Sequence, residues 1–259
     1  MGFRGRAPQF LLLGLSLLLA VSIAVGQSHP GAQASSAKDH QLQAEVQQKI
    51  AKKKDMGQVQ VTVEDRVAKL SGTVSNLRAK LEAANQARGV DGVDGVVNQI
   101  AVNTETVPDA QLKRELADRL TYDRMGMGQT FNALTVGVNH GIVTVGGQVR
   151  DYPDRDSAVD IVVDTKGVKG VVDNIEVAAL SPMDDQIRVA AARAIYGNPS
   201  MIRYANDPAH PIRILVENGR VTLVGVVDSQ VDKSVAGNAV RGLPGVLGVK
   251  NDLVVAGGA

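Results

Sequence analysis

Arg203 and Tyr204 stand side by side, and Tyr196 precedes them on the same connecting stretch. An arginine's planar fork can hold a phosphate through two parallel hydrogen bonds, and tyrosine favours the boundary between polar and apolar parts of a membrane. From Ile195 to Ile214 the chain spends 19 positions, where the matching stretch from Ile50 to Val61 spends 11. Long loops on a small scaffold often carry function. Arg203, Tyr204 and Tyr196 are therefore the candidate residues for contact with a lipid phosphate. The competing reading is that Met201, Ile202 and Tyr204 extend an aromatic-poor core while Arg203 is solvated.

Other chemistry is thin. His29, His40, His140 and His210 share no ligand spacing, so they read as surface residues rather than a metal set. Asp156, Asp160 and Asp164 repeat every fourth position behind Asp151 and Asp154. Carboxylates spaced ~6 Å apart along one helix face suit a solvated stripe better than a single coordination sphere. Lys52, Lys53 and Lys54 close a helical segment, where cations complement the helix dipole; contact with membrane phosphate is the alternative. No cysteine is present, which excludes disulfides, thiolate metal sites and a thiol nucleophile. Gly89, Gly92 and Gly95 give GxxGxxG behind a helical segment, so the strand-first dinucleotide fingerprint is not met. No nucleophile elbow or paired-carboxylate motif is visible. The expectation is a protein that is not an enzyme and needs no cofactor or metal.

The elements that must position these residues begin after a leader. Arg4 and Arg6 precede an apolar run from Phe10 to Val25, and Ala24-Val25-Gly26 supplies small residues. That pattern describes a secretory signal peptide over residues 1–26. The run is shorter than the ~20 apolar residues a spanning helix needs, although an uncleaved anchor is the alternative. Removing Arg4 and Arg6 leaves 26 basic against 27 acidic residues, a net charge of −1. Without a basic field, a Trp, or more than three Phe and four Tyr, nucleic-acid binding is not expected. Residues 27–39 read as a low-complexity, disordered tail.

The rest of the chain is written three times. Gly72, Gly147 and Gly225 each stand 20 residues before a second glycine, Gly92, Gly167 and Gly245, with Gly95, Gly170 and Gly248 three further on. Before each first glycine, Val59/Val61/Val63, Leu134/Val136/Val138 and Ile212/Ile214/Val216 alternate at the period of a half-buried strand. Polar turns follow, including Asn218-Gly219, a strong hairpin signal. Upstream, Leu42/Val46/Ile50, Leu112/Leu116/Leu120 and Ile187/Ala191/Ile195 form one helical stripe apiece. Downstream, Ala83, Ala158 and Ala236 recur where a second helix must approach the sheet. The glycine pair is expected to end that helix in a left-handed residue and to turn the chain into a third strand. Each unit is thus helix, strand, strand, helix, strand: an α/β (α+β) fold with a three-stranded sheet and two helices on one face. Units are expected over 40–102, 109–177 and 183–255, with strand pairs 59–63 with 67–72, 133–138 with 142–147, and 212–216 with 221–225. Small units with Val/Ala cores are expected to lean on one another or on a partner.

The run "NGRVTLVGVV" (218–227), its counterpart "HGIVTVGGQV" (140–149) and the closing "GVxGVxN/D" strands resemble the BON domain, the bacterial osmotic-stress and nodulation module, in three tandem copies. The third copy matches best and the first departs most, with "EDRVAKLSG" lacking glycine before the strand. The resemblance implies an envelope location, periplasmic or secreted, and non-enzymatic binding of anionic phospholipid, a membrane surface or envelope proteins, in envelope or osmotic stress protection. A structural adaptor for protein–protein docking without a lipid ligand is the alternative. The family has no catalytic motif to transfer. By copy the net charges are +2, −3 and +1, so the middle copy is the least suited to anionic lipid.

Overall fold

A computed structural model of the chain describes residues 30–124, 128–207 and 210–257. The first unit runs through α1 (Pro30–Ala51), a hairpin of β1 (Gln60–Glu64) and β2 (Val67–Ser71), a short β3 (Thr73–Val74), α2 (Leu77–Arg88), and then β4 (Gly95–Asn98) and β5 (Ala101–Val102). The second has α3 (Asp109–Tyr122), a 3-10 turn at Gln129–Phe131, β6 (Ala133–Asn139), β7 (Ile142–Val149), α4 (Tyr152–Val163) and β8 (Gly170–Val177). The third has α5 (Pro182–Tyr196), a short α6 (Ile202–Asn206), β9 (Arg213–Glu217), β10 (Arg220–Val227), α7 (Gln230–Arg241) and β11 (Gly248–Val255).

Each unit is the expected one. β1, β6 and β9 pair antiparallel with β2, β7 and β10, within one or two residues of the predicted pairings at each end. β4, β8 and β11 then pair parallel to the hairpin's second strand. That second strand is the centre of each three-stranded sheet. In the first unit the third strand is interrupted, and β5 pairs with β3 as a separate ladder. The two helices of each unit pack beside one another and on the sheet. The predicted stripes are buried: Val46, Ile50, Leu112, Leu116, Ala191 and Ile195 are fully covered, as are Ala83, Ala158 and Ala236. Covering a side chain such as Ile50 contributes ~2 kcal/mol, and a sheet-facing Ala lets the second helix sit close. Asn76, Asp151 and Ser229 cap α2, α4 and α7, each accepting the N–H three residues on, which supplies an acceptor for a free helix-start donor.

Two expectations need correction. The signal peptide lies outside the described residues, but the tail predicted as disordered over 27–39 is helical from Pro30 onward. Proline suits a first helical position, and Ala37 and Lys38 are good helix formers. The glycines also divide their work differently. Gly92, Gly167 and Gly245 do have positive φ, at 100°, 89° and 83°, yet they stand four residues past the last helical residues Arg88, Val163 and Arg241. Gly89, Asp164 and Gly242 occupy the caps. The left-handed glycine therefore serves the turn into the third strand. Gly95, Gly170 and Gly248 open that strand without a left-handed φ, opposite Val67, Ile142 and Arg220.

Candidate functional site

The hairpin turns are built identically. Asp65-Arg66, His140-Gly141 and Asn218-Gly219 all have positive φ at both residues, the arrangement that matches strand twist in a two-residue hairpin. An aspartate of the first helix holds each turn. Asp39 accepts the Asp65 and Arg66 N–H groups at 3.0 and 3.1 Å, Asp109 those of His140 and Gly141 at 2.7 and 3.0 Å, and Asp184 those of Asn218 and Gly219 at 2.9 and 2.8 Å. The carboxylate gives both turn donors an acceptor and lets the first unit keep two non-glycine residues there. Sequence reasoning missed this, although each aspartate precedes its helical stripe by three residues. The N–H groups of His140 and Gly141 hold the Asp109 carboxyl below the usual carboxylate range.

In the third unit, the residues expected to meet lipid are engaged internally. Met201 and Tyr204 are buried in the core with Ile212 and Val227. The Tyr204 hydroxyl donates to Asp232 Oδ2 at 3.1 Å and accepts the Asp228 N–H at 2.8 Å. Arg203 lies over the Tyr204 ring, 5.0 Å from its centroid, and pairs with Asp232 at 2.6 Å and Asp228 at 3.1 Å. Ser229 donates to the same Asp232 oxygen at 2.8 Å. Burial pushes the Asp232 pKa up, but the Ser229 and Tyr204 hydroxyls and the Arg203 charge hold it below the ordinary value. Tyr196 donates to the Ile212 carbonyl at 2.7 Å, and burial pushes its hydroxyl up to about 12. Among the described residues of this segment, Ile202 offers a large exposed apolar side chain, 53% exposed. The structure brings Arg203 and Tyr204 together and keeps Tyr196 apart, at the side facing the second unit.

The second unit repeats the arginine–aspartate arrangement with fewer partners. Arg124 Nη2 contacts Asp154 Oδ1 at 3.3 Å and the Asp154 carbonyl at 2.9 Å. Asp154 and Asp232 both lie seven residues after their unit's first glycine, a signal the sequence carried unread. The Asp stripe of α4 also has a use. Arg78 of the first unit pairs with Asp160 at 2.9 Å and Asp164 at 2.7 Å, beside a polar cleft of about 660 Å³ lined by Asn76, Thr104 and Lys166. Among the described residues, no three His, Asp or Glu converge as metal ligands. Among the described residues too, no helix is long and apolar enough to cross a membrane.

With both helices on one side, the other face of each sheet is uncovered. In the second unit its outward positions include Thr135, Ile142, Thr144, Gln148, Val172 and Asn174, and the only charge among its strand residues on that face is Glu176. Ile142 and Val172 are 41% and 45% exposed, and Val67 and Val97 at the same register of the first unit are 37% and 45% exposed. The third unit places Arg220 and Lys250 at these positions.

A family model for the BON domain matches residues 38–104, 108–179 and 200–257. Among solved structures, one of CdsD, a structural protein of the type III secretion system of Chlamydia trachomatis, is similar at 16% identity, over 83% of this chain and 92% of that one, with a TM-score of 0.24. A second, of the CdsD C-terminal domain from the same organism, shows 15% identity over 82% of this chain and 96% of that one, also with a TM-score of 0.24. No curated protein matches the sequence.

Proposed function

Because this chain belongs to the BON domain family, in three tandem copies, we propose that it is a non-catalytic binding protein of the bacterial envelope that docks a protein partner on its uncovered sheet faces. The observation that carries this reading is the second unit's open face, which offers paired aliphatic side chains among Thr, Asn and Gln and no Lys or Arg. An anionic membrane would find no cation among its strand residues, whereas a partly apolar surface whose one strand charge is Glu176 suits the core of a protein–protein contact. Envelope location rests on the leader-like residues 1–26 and on the family's character.

Anionic phospholipid is the second reading, and one observation favours it for the third unit alone: Arg220 and Lys250 stand where the other units carry Val or Ile. Photocrosslinking in cells separates the two. A crosslinker at Val172 or Val97 should capture discrete protein adducts that Thr144→Arg abolishes in the second unit, while one at Val231 on α7 should not. Full-length protein should sediment with phosphatidylglycerol vesicles weakly or not at all. Salt-sensitive sedimentation lost in Arg220→Glu or Lys250→Glu, together with no adduct from the sheet faces, would replace protein docking by lipid contact.

A further inference from the structure

The seam between the second and third units holds buried donors with nothing to bind. Arg124 and Asn132 are each 1% exposed, and among the described residues Arg124 Nε and Asn132 Nδ2 have no hydrogen-bond partner, nor does Oδ2 of the neighbouring Asp154. The orientation of the Asn132 amide is set, because its Oδ1 accepts the Arg150 N–H at 2.8 Å. Both side chains line a cavity of about 190 Å³ with Lys113, Leu134, Val136 and Arg213. Arg213 enters from β9 of the third unit and is tied to the second through the Gln129 carbonyl at 2.7 Å. Three cations thus face one space. Of the nearby carboxylates, Asp154 meets Arg124 outside the cavity lining, and Asp151 is paired with Arg150 at 2.7 Å.

The third unit shows what a completed version looks like. There Arg203 has Asp232 and Asp228, and Asp232 has Ser229 and Tyr204 besides. In the second unit Asp151 replaces the serine cap and already serves the Asp154 N–H and Arg150. Burial depresses the pKa of Arg124 and of Arg213, and at Arg213 the neighbouring Arg124 charge adds to it. A buried guanidinium is costly when its counter-charge is poorly engaged: Asp154 meets Arg124 through one oxygen at 3.3 Å, and unpartnered buried donors are rare for the same reason.

We propose that this cavity binds a small oxyanion of the phosphate or sulfate class, held by Arg124, Asn132 and Arg213 and tying the second unit to the third. Guanidinium donors and an amide N–H converging on one space are the groups that recognise tetrahedral oxyanions. The aliphatic wall of Leu134 and Val136 excludes bulk water from one side. The site is independent of the sheet faces, so it stands or falls apart from the docking reading.

Calorimetric titration of the full chain with sodium phosphate, against chloride at matched ionic strength, tests it. A saturable one-to-one isotherm is expected, with a parallel rise in melting temperature. Asn132→Asp keeps the acceptor for Arg150 and the side-chain shape while placing a carboxylate among the arginines; it should weaken phosphate binding at least tenfold. Arg213→Gln should do the same with an unchanged circular dichroism spectrum, and Lys233→Gln on α7 should bind as the parent does. Phosphatidylglycerol vesicles added in competition identify the source: displacement marks a lipid headgroup as the oxyanion, and no displacement marks a free ion. No saturable signal beyond chloride, or affinity unchanged in both cavity variants, overturns the site.

Discussion

One carboxylate of each unit's first helix holds the hairpin turn. Asp184 is 4% exposed and accepts two turn donors, so Asp184→Ala leaves the buried Gly219 N–H and the part-buried Asn218 N–H unpaired. The expected loss is about 2–3 kcal/mol, read from urea unfolding of the third unit. At Asp109 the same contact gives a pH signature. Its folded pKa lies below the ordinary value, so its contribution is present above the unfolded carboxylate pKa of about 3.9 and disappears as pH falls through the folded value. The stability difference between the parent and Asp109→Asn should be constant above about pH 5 and shrink below about pH 4. A difference that grows on acidification would show that the turn does not depend on the ionised group. At this scale the candidate loop was legible in the sequence, and its internal partners were not. Arg203 and Tyr204 are adjacent in sequence, whereas the partner that claims them, Asp232, lies almost thirty residues on, and loop length alone carries no trace of it.

The glycines separate into those that tolerate a side chain and those that do not, and the difference is a property of the elements they join. Gly147 has φ 94°, and a Cβ there would lie 2.0 Å from the Ala133 carbonyl oxygen. Gly147→Ala should cost about 2–4 kcal/mol through clash and left-handed strain. Gly95 opens β4 with nothing nearer than 3.7 Å, a Val67 methyl, so Gly95→Ala should change stability by less than about 0.5 kcal/mol. Thermal melts of the two variants check both; equal losses would mean the repeated spacing reflects something other than backbone geometry. The elements themselves were legible because alternation, helical stripes and turn residues are local. Which strand becomes the sheet centre was not: that follows from β4, β8 and β11 choosing the hairpin's second strand. The closing Asn or Asp of the family-like motif also proved structural. Asn98 and Asn251 donate to the carbonyls of Lys80 and Lys233 at 2.8 and 2.7 Å, while Asp173, which cannot donate when ionised, pairs with Arg155 instead.

Across the whole molecule, the units share cores rather than sitting as beads. Leu77 opens α2 of the first unit, yet it belongs to the cluster of Leu112, Leu116, Val143 and Val162, with Val102 and Val107 packed beside it. Leu77→Ala should therefore remove about 3 kcal/mol chiefly from its neighbour. Hydrogen exchange reads this directly: amides of β7 and β8 should lose protection before those of β1 and β2. Loss confined to the first sheet would make Leu77 a residue of its own unit. The Arg78 pair with Asp160 and Asp164 spans the same seam but is half exposed, so Arg78→Ala should cost no more than about 1 kcal/mol. Mutual support was expected from the size of the units; the residues that provide it were hidden, because repeat spacing describes each copy and is silent on which surface meets the next. The shared core also imposes an order in time. A chain made from its N-terminus completes the first unit, with Leu77 and Val107 in place, before β8 exists to close the second sheet. The first unit is then a template on which the second can condense as it leaves the ribosome, and a chain begun at residue 109 would emerge without one.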